Sequence, residues 1–79
     1  MKYGQAIIIL EEKGGYIYQS APWFNDQIFF IRTRLDQKIL CKSLNGKIVL
    51  NCTVPTTRQF NDDWEWSDDW ESIGLKKPS

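Results

Sequence analysis

Asn45-Gly46 lies between two strand-like runs, Lys38–Leu44 and Lys47–Thr53. Both residues tolerate positive φ, so the pair predicts a tight type I′ hairpin. Such a turn fixes a register in which Leu44 faces Lys47, Lys42 faces Val49, Cys41 faces Leu50 and Ile39 faces Cys52. Side chains alternate across a strand, so Ile39, Cys41, Ile48, Leu50 and Cys52 share the expected core face. Lys38, Leu40, Lys42, Leu44, Lys47 and Val49 share the other.

The remaining pattern also reads as mostly β. The isoleucine-rich stretch Gln5–Glu11 predicts a first strand, Gly14-Gly15 a turn, and Tyr16–Ser20 a second strand paired with the first. Ala21–Asp26 reads as a loop, with Trp23-Phe24 either a second exposed aromatic pair or, as is commoner, a core plug. Gln27–Arg34 is the third strand. A three-residue turn at Leu35-Asp36-Gln37 keeps Phe29, Ile31 and Thr33 on the core face and spares the core Arg32 and Arg34, whose unpaired burial is costly. Thr56–Asn61 is a connection or irregular strand, and Trp64-Glu65-Trp66 alternates as a short strand. Ser67 is a good N-cap for a helix at 68–73, and Gly74 is a stop. Lys76–Ser79 is expected to fray.

A chain of 79 residues forms one domain and has a thin core, burying about 60–65% of its unfolded surface. The expected fold over 1–79 is therefore a small five-stranded barrel or strongly bent antiparallel sheet with a short C-terminal helix. A sheet with that helix packed across one face is the second choice.

Several chemistries lack their residues. There is no histidine, the commonest general base and metal ligand. No glycine loop suited to phosphate is present. In the hairpin register Cys41 and Cys52 are diagonal neighbours, about 7–8 Å apart, beyond ordinary disulfide reach. They are expected as free thiols in a reducing cytosol. The pairs Asp62-Asp63 and Asp68-Asp69 lack the spacing of a calcium loop. No secretion signal or membrane-spanning run is apparent. The expectation is a cytoplasmic protein that is not an enzyme and uses no metal or cofactor.

What stands out is charge sorting within a net charge of zero. From Lys13 to Arg58 there are seven bases and two acids. The segment 60–74 then carries six of the ten acids: Asp62, Asp63, Glu65, Asp68, Asp69 and Glu71. Trp64, Trp66 and Trp70 lie among them. Dense acids repel one another and tryptophan is a frequent interface anchor. Segment 60–74 is therefore the leading binding surface, facing a basic protein such as the cleft of a nuclease or other nucleic-acid enzyme. The function expected is that of an inhibitor or adaptor of the immunity, anti-restriction or phage type, from a phage or mobile element. The internal alternative is that Phe60, Trp64, Trp66 and Trp70 plug a thin core while the acids stay solvated. A second surface, Phe30 with Arg32, Arg34, Lys38, Lys42 and Lys47 on one outer face, suggests a nucleic-acid-binding module instead: bases for phosphate and a ring for stacking.

Overall fold

The computed structural model describes residues 1–20, 27–44 and 47–75. The expectations for the 21–26 loop with Trp23-Phe24, for the Asn45-Gly46 turn and for the 76–79 tail lie outside the described residues. The elements in chain order are helix α1 (Tyr3–Lys13), β1 (Tyr16–Gln19), β2 (Gln27–Arg34), β3 (Gln37–Leu44), β4 (Lys47–Val49), a short helix α2 (Thr56–Gln59), β5 (Trp64–Ser67) and a 3-10 turn at Glu71–Ile73. The five strands form one antiparallel sheet in the order β4-β3-β2-β1-β5. The sheet is open, which suits a bent sheet and not a barrel.

The largest correction is at the N-terminus. Gln5–Glu11 is not a strand but part of α1. Tyr3, Ala6, Ile7 and Leu10 recur at helical spacing and face the sheet, with Ala6 and Leu10 buried. Packing of that stripe overrides the strand preference of three consecutive isoleucines. Gln5 Oε1 accepts from the Lys2 backbone N–H at 3.2 Å. The Gly14 N–H closes the helix on Leu10 O at 2.9 Å. Gly14-Gly15 thus ends a helix, and β1 pairs with β2 and β5 instead of with a preceding strand.

Gly15 is the tightest point of that junction. Its φ is +76°, and a Cβ there would lie 2.5 Å from Ser67 O and 2.9 Å from Trp66 Nε1. Gly15→Ala should therefore destabilise the domain by more than the ~1–2 kcal/mol of backbone strain alone. Urea unfolding measures this, and a change below that range would contradict the close approach.

The second correction concerns the β2–β3 turn. It has two residues, Leu35 and Asp36, with φ of 51° and 61°, as a type I′ turn requires. Arg34 pairs with Gln37, Arg32 with Ile39 and Phe30 with Cys41. Arg32 and Arg34 now share a face with core residues, yet both are exposed. The hairpin projects past the packed part of the sheet, so the feared charge burial does not arise.

The β3–β4 register agrees with expectation at Lys42–Val49 and Leu44–Lys47. It then fails, because β4 stops at Val49 and Asn51 adopts a φ of 55°. The Cys52 N–H bonds Leu40 O, one position out of phase with the hairpin. Cys41 is buried on one side of the sheet and Cys52 packs on the other. Both are free thiols, and Ile48 and Leu50 are exposed instead of core.

Each face of the sheet carries its own cluster. On the α1 side Ala6, Leu10, Ile17, Phe29, Val54 and Trp64 pack together. On the opposite side Tyr16, Ile28, Phe30 and Cys41 are covered by Trp70 and Leu75.

Candidate functional site

The acidic segment builds both clusters with its rings. Trp64 and Trp66 alternate onto the α1 face, and Glu65 points to the other. Trp64 is fully buried, against Tyr3 at 5.1 Å and Phe29 at 5.8 Å between ring centroids. Its indole N–H donates to Arg58 O at 3.2 Å. Trp66 is half-buried, and its indole N–H donates to Gly14 O at 2.7 Å. Trp70 crosses to the other face and meets Tyr16 and Phe30 edge-on at 4.9 and 5.5 Å. Phe60, by contrast, is 83% exposed. With Lys2, Tyr3, Gln59 and Asp62 it lines an open groove of about 480 Å³.

The carboxylates take the complementary positions. Asp62, Glu65, Asp68, Asp69 and Glu71 are exposed, and Asp63 is half-buried. Asp63 accepts from Gln19 Nε2 at 2.8 Å. The Asp69 carboxylate accepts from the Ser72 N–H at 3.3 Å, and Ser67 Oγ accepts from the Asp69 N–H at 3.1 Å. Ser67 therefore does cap locally, but the chain beyond it forms a single 3-10 turn and not the helix expected over 68–73. Gly74, with φ of 73° and ψ of 20°, ends it as expected.

Beneath the segment lies a polar knot that the sequence did not announce. Arg58, on α2, is buried. Its Nε donates to Gln19 Oε1 at 2.5 Å and its Nη1 to Gln27 Oε1 at 2.6 Å. Its guanidinium carbon stands 5.2 Å from the Phe29 ring centre and 5.8 Å from that of Trp64. Burial lowers the Arg58 pKa, and the nearby Asp63 opposes that shift. The one sequence hint was its place in an otherwise uncharged stretch before the acids.

The basic platform does not assemble as expected. Arg32 and Arg34 lie on the Trp70 side of the sheet, whereas Lys38, Lys42 and Lys47 lie on the α1 side. Phe30 is buried and unable to stack on a base. The two-residue turn is the cause, since a shift of one residue exchanges the faces.

Tyr18 ties the acids to the sheet. It sits opposite Glu65 across β1 and β5. Burial first, then a hydrogen bond to Glu65, raises its pKa above the ordinary value of 10.0. A raised folded pKa stabilises the fold below the unfolded value, and that contribution is lost as pH rises through the folded one. Urea midpoints should therefore fall above about pH 10, and Tyr18→Phe should flatten that fall. Tyr3, raised mainly by burial, keeps part of the slope. An unchanged slope in Tyr18→Phe would contradict the raised pKa of Tyr18.

Burial likewise pushes the Cys52 thiol up, which disfavours the reactive thiolate. Among the described residues no group of three or more His, Cys, Asp or Glu is placed to hold a metal ion. No helix among them is long and apolar enough to cross a membrane. No family model matches the chain, and no curated protein or solved structure matches it.

Proposed function

We propose that this protein is a non-enzymatic binding module whose acidic rim, Asp62, Glu65, Asp68, Asp69 and Glu71, engages a basic protein surface. The supporting observation is the strand order. β5 occupies one edge of the sheet, and the bases of β3 and β4 lie toward the other. Three to four strand spacings separate them, about 14–19 Å. Ionic screening at physiological salt acts over about 8 Å. The exposed acids are thus left unneutralised by those bases, and they are held on a sheet by buried rings. Among the described residues the cations placed against the segment are Lys13, 5.8 Å over Trp66, the buried Arg58, Lys2 in the groove beside Asp62, and the N-terminal ammonium, which donates to the Asp62 and Trp64 carbonyls at 3.1 and 2.8 Å.

The partner that best suits such a rim is the basic cleft of a nuclease or other nucleic-acid enzyme, where spaced carboxylates substitute for phosphates and association is electrostatically steered. The protein would then act as an inhibitor or adaptor. Asp63, Trp64, Trp66 and Trp70 serve this reading by positioning the rim and not by touching the partner.

The test is titration of the protein against a panel of basic nucleases and polymerases at rising salt. Binding to a panel member should weaken steeply with salt and be displaced by a polyanion such as heparin. Absence of binding across the panel at low salt, or binding indifferent to salt and heparin, would overturn it.

A further inference from the structure

A cavity of about 230 Å³ opens on the sheet face opposite α1, lined by Tyr16, Tyr18, Ile28, Ser72 and Ile73. It is smaller than the roughly 300–1,000 Å³ of small-molecule sites, and its size suits a single side chain. The Tyr16 and Tyr18 rings stand 5.9 Å apart and tilt by 39°, and Ile28 is buried beside them. Glu65 sits directly opposite Tyr18 on the adjoining strand. An apolar wall, two tyrosine rings and the strand position of Glu65 thus adjoin on one face.

We propose that this slot receives an arginine side chain of the partner protein and is the specificity pocket of the acidic surface. The assignment presupposes the binding role given above. Guanidinium fits the lining for three reasons. Its plane stacks on an aromatic ring, its fork pairs with a carboxylate, and it is shed from water more readily than an ammonium. A leucine or methionine would fill the volume but would bring no charge to the neighbouring Glu65 carboxylate. Lysine would bring the charge without the stacking plane.

The experiment compares a short arginine-rich peptide with a lysine-rich peptide of equal charge, by calorimetry and by methyl NMR of Ile28 and Ile73. The arginine peptide should bind about tenfold more tightly and shift both methyl signals. Ile73→Trp should fill the slot and reduce arginine binding to the lysine level. Ile73 lies at the surface, 36% exposed, so the larger ring leaves the core intact. Glu65→Gln, which keeps the shape, should lower the preference in the same direction. Equal affinities with unmoved Ile28 and Ile73 signals would overturn the slot. If Asp62→Lys with Asp68→Lys still abolished both peptides, the acidic surface would survive that result. Failure of both peptides to bind at low salt would remove the slot and the surface together.

Discussion

Trp64→Ala lowers the stability of the domain by about 3–5 kcal/mol. The ring is completely buried, touches α1 through Tyr3 and β2 through Phe29, and bonds the Arg58 carbonyl. Removing a buried tryptophan costs about 3–5 kcal/mol. A domain of 79 residues holds about 4–12 kcal/mol in total. The loss is therefore a large share of all stability, and circular dichroism with urea titration reads it. Trp66→Ala should cost less, because that ring is half-buried and its main polar tie is to Gly14 O. If the two variants were equally mild, the acidic segment would not be the inner wall of the core.

Arg58→Met is the second large effect. Methionine preserves much of the stem that packs on Phe29 and Trp64, so the loss isolates the polar part. Gln19, fully buried, would lose the donor to its Oε1, and Gln27 would lose one as well. Hydrogen bonds to a charged group contribute about 1.5–3 kcal/mol each. Burial of the guanidinium itself is unfavourable, as the lowered pKa of Arg58 records. The net loss should therefore be about 2–4 kcal/mol, below the sum of the two bonds. Gln19→Leu added to Arg58→Met should cost less than the sum of the two single changes, because the buried Gln19–Arg58 bond is counted in both, although the Gln19–Asp63 bond is lost as well. A double variant that is worse by the full sum of its parts would show that Gln19 and Arg58 are not coupled.

Much of the sheet was legible because strands announce themselves locally. Tyr16–Gln19, Gln27–Arg34, Trp64–Ser67 and the β3–β4 pairing as far as Val49 all follow from alternation. What misled at the N-terminus was residue preference: isoleucines favour strands, but Tyr3, Ala6, Ile7 and Leu10 repeat as a helix does. The length of the β2–β3 turn rested on one assumption, that a face shared with the core means burial. At a hairpin tip it does not, and Arg32 and Arg34 are exposed there. The bend at Asn51, which separates Cys52 from the face of Cys41, had no turn signature strong enough to read. In the acidic segment the sequence permitted rings inside with acids outside, and the structure adopts that arrangement for Trp64 and Trp70. The Arg58 knot was invisible because Gln19, Gln27 and Arg58 meet only through the fold.

The most direct measurement is the affinity of the triple variant Asp62→Lys, Asp68→Lys, Glu71→Lys for the panel enzyme that binds the natural chain, taken beside its thermal unfolding curve. All three side chains are exposed, so the midpoint should hardly move. Affinity should fall by about 100-fold or more, as attraction becomes repulsion. A folded variant that binds as tightly as the natural chain would contradict the acidic rim as the binding surface.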